Sequence, residues 1–285
     1  MATTSAMLPQ EFERPVLELS GEILRVALQN MVSGTEEHGG IERYIDAIKL
    51  KSAMFRQALV ENDIADLDLE TFKGLCTFMA TVRRRISEHL NEEAFGDMRL
   101  AIVRLFDDRE HIDDRIMTFC DRFPNDKKHR WVRDLATELL HNADPERVPL
   151  MNRWVWDAKS NTGVIREIWH GDNVDHITIP VPNGYGTYLM LREELSQFLS
   201  DNGIFRDVLY YVDMLCAQVY AHYICEQGGS YLRADFQAPE DPMQHTRRLL
   251  GLDGVQPGNG RTRLKSIDGE AFVLDDSTEL NPTEH

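Results

Sequence analysis

The sequence predicts a mainly α-helical protein, a multi-helix bundle with a small β-hairpin inserted in its C-terminal half. Three observations carry that expectation. Apolar residues recur at the helical period along most of the chain, Ser, Asp and Asn stand repeatedly where N-caps belong, and the stretch Val174 to Val181 alternates and is β-branched.

The elements follow in order. Residues 1–14 are polar, include Pro9 and show no periodicity, which reads as a flexible arm. Ser20 caps a helix bearing Ile23, Leu24, Ala27, Leu28 and Met31, with Gly34 placed to end it. A second helix starts near Ile41, carries Tyr44, Ile45, Ile48, Met54, Phe55 and Leu59, and stops at Asn62 and Asp63. Asp68 opens a third with Leu69, Phe72, Cys76, Met79, Val82 and Ile86 on one stripe. Asn91 and Asp108 are expected to cap two more, and a sixth is expected over 127–142. Asp144-Pro145 then signals a short helix over 146–158.

Beyond Asn161 the pattern changes. Val174 to Val181, the turn signal Pro182-Asn183-Gly184, and Thr187 to Met190 together predict the hairpin. Helices return over 191–200 and 204–227, and Asp241-Pro242 starts a last one that reaches Leu250. From Gly251 onward glycine and proline accumulate, which reads as a mobile tail with a weak second hairpin signal at Asp268-Gly269. The expected organisation is an arm (1–14), an N-terminal bundle (15–143), a helical part with a tryptophan-rich segment and the hairpin (144–250), and a tail (251–285).

Composition narrows the function classes. The chain has 285 residues, enough to bury a sizeable core without disulfides, and its cysteines, Cys76, Cys120, Cys216 and Cys225, lie apart within apolar helical patterns. That usage, an N-terminus lacking a signal-peptide pattern and the absence of a long apolar run point to a cytoplasmic protein that does not enter the membrane. A net charge of −17 repels phosphate backbones and so argues against nucleic acid. Arg83, Arg84 and Arg85 form a compact basic run, and consecutive helical residues point about 100° apart, so they make a solvated surface rather than a basic face.

The densest concentration of aromatic and titratable groups is central. All four tryptophans lie between Trp131 and Trp169, with His129, His141, His170 and His176 in or beside that stretch. Trp154, Trp156, Trp169, Tyr185 and Tyr188, with Arg166 nearby, are expected to form a recognition surface for a protein partner or a small anionic ligand, because indole and phenol rings give large contact area at low entropic cost. The competing expectation is that these rings wedge the hairpin onto the bundle.

Two Glu-x-x-His pairs, Glu138 with His141 and Glu167 with His170, have the spacing that presents a carboxylate and an imidazole on one helical face. With His176 they define an alternative, an enzyme holding iron, zinc or manganese. Against it, about one such pair arises by chance in a chain of this composition, and the segment between the pairs is interrupted by Pro145 and Pro149. Gln218, His222 and Glu226 stand at i, i+4 and i+8 on an otherwise apolar helix, either lining a pocket or facing solvent with His222 paired to Glu226. No nucleophile elbow occurs, and the glycine-rich run Gly254 to Thr262 fails the spacing of a phosphate loop. The expected function is therefore that of a binding or accessory protein without a cofactor.

Overall fold

A computed structural model describes residues 14–36, 39–171, 174–231, 242–252, 263–265 and 271–273. The described chain is mainly helical. Its helices are α1 (Gly21–Glu36), α2 (Ile41–Arg56), α3 (Leu69–Thr77), α4 (Glu92–Leu105), α5 (Ile112–Cys120), α6 (Trp131–Ala143), α7 (Val164–Glu167), α8 (Tyr185–Asp201), α9 (Val208–Tyr231) and α10 (Pro242–Leu249). No helix among the described residues is long and apolar enough to cross a membrane.

Local chemistry explains most boundaries. The carboxylates of Asp63 and Asp68 and the amide oxygen of Asn91 each accept a hydrogen bond from a backbone N–H at a helix start, satisfying an orphan donor. α5 is capped by His111, whose Nδ1 accepts from the Asp113 N–H, and not by Asp108 as expected. α1 runs through Gly34 to Glu36, because Gly34 leaves room for Met243 of α10, whose Cγ lies 3.0 Å from where a Cβ would be. α3 ends at Thr77, yet Met79, Val82 and Ile86 remain fully buried in the turns that follow.

Buried apolar side chains from Leu17 to Leu252 belong to one cluster. α6 is its axis: every residue of that helix except Arg133 is buried, with α2 and α5 packed against it. α8 and α9 pack on one another, α1 and α7 lie on α9, and α10 lies along α9 and reaches α1.

Two expectations fail between α6 and α8. Residues 146–158 are not helical; Asp144 N–H still ends α6 at Leu140, after which the chain turns through an Asp157–Thr162 bridge into the single turn of α7. Gly163, at φ 122, makes this possible, since a Cβ there would meet the Val155 carbonyl oxygen at 2.7 Å.

The hairpin expected over 174–190 does not form. Val174–His176 is a 3₁₀ turn, and the segment after it has no partner strand among the described residues. The alternation survives as burial only, with Ile179 and Val181 inside and Ile177 exposed. The backbone polar groups are satisfied by side chains instead: Asn161 accepts from the Ile179 N–H and donates to the Ile177 carbonyl, and Trp156 Nε1 donates to the Val181 carbonyl. The turn signal at Gly184 marks the start of α8, whose Tyr185 N–H is held by the Asp113 carboxylate of α5 at 3.0 Å. The second turn signal, Asp268-Gly269, lies outside the described residues. Beside it β1 (Arg263–Lys265) and β2 (Ala271–Val273) pair antiparallel, Leu264 opposite Phe272.

Candidate functional site

Lys51, Asp134, Glu138, His141 and Asp213, buried in the core, gather on or around α6. Lys51 of α2 reaches through the apolar interior to Glu138, Nζ to Oε2 3.3 Å, and also donates to the Leu250 carbonyl at 3.1 Å. Asn152 donates to the other Glu138 oxygen at 2.9 Å. Burial pushes the Glu138 carboxyl up, while the Lys51 ammonium and the Asn152 amide pull against that shift. One turn on, His141 Nε2 lies 3.0 Å from Asp213 Oδ2 and its Nδ1 lies 2.8 Å from the Val148 carbonyl. Burial alone lowers the His141 pKa, but the Asp213 charge and these hydrogen bonds overcome it and hold the imidazole above its ordinary value. At the start of α6, Asp134 Oδ2 accepts from Arg153 Nε and Nη2, and its Oδ1 accepts from that residue's backbone N–H.

This arrangement spends its polar atoms on structure. Both His141 nitrogens are engaged, so neither is open to take a proton from a substrate. The void beside His141, Tyr188, Asp213 and Cys216 measures about 10 Å³, room for about one water. The thiols of Cys76 and Cys216 are pushed up by burial, away from a reactive thiolate.

The Glu-x-x-His residues are not brought together. Glu138 and His141 share a helix but serve different partners, Glu167 is on α7, and His170 and His176 are exposed. Among the described residues no three His, Cys, Asp or Glu side chains are close enough to hold a metal ion. Asp172 and Asn173, in the loop composition beside His170, lie outside the described residues.

Of the aromatic residues expected on a recognition surface, Trp154, Trp156, Trp169 and Tyr188 are interior and Tyr185 is half-buried. Trp131, Trp154, Trp156 and Trp169 are 2%, 6%, 0% and 7% exposed, and Tyr188 is 1% exposed. Their polar atoms serve the fold: the Tyr188 hydroxyl lies 2.7 Å from the Trp156 carbonyl, the Tyr185 hydroxyl donates to the Arg147 carbonyl, and Arg166 donates to the Asn161 carbonyl. Arg133 stacks on the Tyr188 ring at 5.7 Å.

Of these rings, Trp154 leads through Tyr220 and Tyr223 to an accessible groove between α1 and α9. A cavity of about 240 Å³ is lined by Ile23, Val26, Ala27 and Asn30 on one side and by Gln218, Val219, His222, Tyr223 and Glu226 on the other, with Glu167 from α7 at its edge. Trp154 packs on Tyr220 at 5.9 Å between centroids and Tyr220 on Tyr223 at 5.8 Å, so a run of rings joins the tryptophan segment to the groove wall. The polar row on α9 combines both expectations held for it. Gln218 is buried and accepts from the Thr246 hydroxyl, whereas His222 and Glu226 are exposed and paired at 3.2 Å, and all three line the cavity.

Sequence reasoning missed Lys51, Asp213 and the α1 wall. Lys51 carries a usable signal, because it lies three residues after Ile48 and four before Phe55, inside the buried stripe of α2. Asp213 sits likewise within the apolar run of α9. Compared with known protein families, curated proteins and solved structures, the chain matches none.

Proposed function

We propose that the chain is a binding or accessory protein that engages a protein partner through the α1/α9 groove. The observation that carries this reading is the exposure of two β-branched residues one helical turn apart, Ile23 at 41% and Val26 at 49%, beside an open concave wall. Size favours a protein over a cofactor. Pockets for drug-sized ligands span about 300–1,000 Å³, and this one, at about 240 Å³, suits a few anchoring side chains. The core lends no support to the alternative of a metal enzyme, because its candidate acid–base groups are turned on one another.

The test is a screen by NMR of apolar fragments and short helical peptides against the isotope-labelled full chain. Ligands are expected to shift the signals of Ile23, Val26, Val219 and Tyr223 first, and V26R is expected to erase those shifts while leaving the rest of the spectrum unchanged. Ligands whose shifts fall consistently away from α1 and α9 would overturn the reading.

A further inference from the structure

We infer that the occupant of the groove is a short basic amphipathic helix of a partner protein, seated over about two turns. The inference rests on the groove being the contact surface. Its two walls are helical ridges: Ile23, Val26 and Asn30 fall at i, i+3 and i+7 on α1, and Gln218, His222 and Glu226 at i, i+4 and i+8 on α9. At 1.5 Å per residue these ridges run about 10–12 Å, the length of about two helical turns. A trough between two helices takes a third through its apolar stripe, read as anchors at i, i+3, i+4 and i+7.

Charge selects the polar side of that helix. The lining includes Glu167 and Glu226, and no lysine or arginine among the described residues lines it. The chain around it carries a net charge of −17. Anchors of the incoming helix rest on Ile23, Val26 and Val219, and its Lys or Arg side chains extend toward the acidic rim, where they compete with His222 for the exposed Glu226. The chain itself seats one short helix beside this groove. α10 is a short helix with Arg247 and Arg248 in its last turn, and it lies on the same two helices, with Met243 against Gly34 of α1 and Thr246 bonded to Gln218 of α9. Gln218 therefore belongs both to the α10 contact and to the open cavity, so the groove continues an interface that a basic helix fills within the chain.

The experiment uses the full chain and two synthetic peptides of about fifteen residues, long enough to hold helix. One carries leucines at i, i+3, i+4 and i+7 with lysines flanking them, and its twin has glutamate for every lysine. Calorimetric titration is expected to show one site for the lysine peptide, weakening with salt, and none for the twin. E226Q is expected to weaken the lysine peptide about two- to fivefold, as for an exposed ion pair, and V26R at least tenfold, as for a central anchor. Both positions are exposed, and circular dichroism checks that the variants fold.

The outcomes separate the two claims. If the twin binds as well and V26R abolishes both, the groove stands and the basic-helix assignment falls. If the lysine peptide binds V26R undiminished, the attraction is diffuse and both fall. A concentration-dependent dimer that buries Val26 and excludes the peptide would replace the partner helix by a second copy and overturn the inference.

Discussion

The axis helix α6 and the α1/α9 groove treat polar groups in opposite ways. Around α6, Lys51, Glu138, His141, Asp213 and Asp134 are withdrawn from solvent, Arg153 is half-buried, and they satisfy one another within hydrogen-bonding distance. In the groove, His222 and Glu226 stay exposed beside unburied isoleucine and valine. Glu138 and His141, which look catalytic in the sequence, therefore sit where they are already used, while half of the accessible groove, its α1 wall, lies where the sequence looks ordinary. Burial without partners is costly, so a core can keep charges only by saturating them. A surface that is to bind must leave its groups available.

Three measurements break or sharpen that contrast, taken from the largest expected effect on stability to the smallest. K51M removes one member of a pair whose side chains are 6% and 3% exposed, leaving the buried Glu138 carboxylate with the Asn152 amide but no counter-charge and taking a donor from the Leu250 carbonyl. Urea unfolding is expected to show a loss of about 3–5 kcal/mol, and adding E138L to it should recover part of that loss. A cost below about 1 kcal/mol for K51M alone would mean that water reaches the pair and that α6 is not the sealed axis described.

The second measurement concerns His141. Its folded-state pKa lies above the ordinary 6.5. The sign follows directly: the stabilisation is fully present below the unfolded value and is lost as pH rises through the folded one. Stability is expected to decline as pH rises above the ordinary 6.5 and through the raised folded-state value, and D213N should flatten that decline by removing its cause. A slope unchanged in D213N would assign the pH dependence to another group.

The smallest effect is expected in the groove. Val26 is 49% exposed, so V26R should change unfolding stability by no more than about 0.5 kcal/mol while removing peptide binding. A large loss would show Val26 to be part of the core and end the contrast.

Much of the helical content was legible in the sequence. The stripes led by Ile45, Phe72 and Ile102 bury as their periodicity requires, and Asp68 and Asn91 cap where they stand, because these signals act within about one turn of the chain. The groove was half legible: the α9 row Gln218, His222 and Glu226 stood out, but nothing in α1 marked Ile23 and Val26 as exposed while their neighbours Leu24 and Ala27 were buried. The hairpin misled because Ile179 and Val181 alternate in burial as a strand would, while their backbone is held by Asn161 and Trp156 from elsewhere in the chain.

The sequence by itself determined what short-range chemistry controls, namely helix faces and caps, together with an acidic chain. Only the tertiary structure decided which polar residues meet. Lys51 and Glu138 are 87 positions apart and His141 and Asp213 are 72 apart, and no local pattern pairs them. The same holds for the tryptophans, whose burial depends on what folds over them. A side chain's chemistry is written in the chain, but whether it is spent inward or offered outward is settled by the packing of elements that are distant along it.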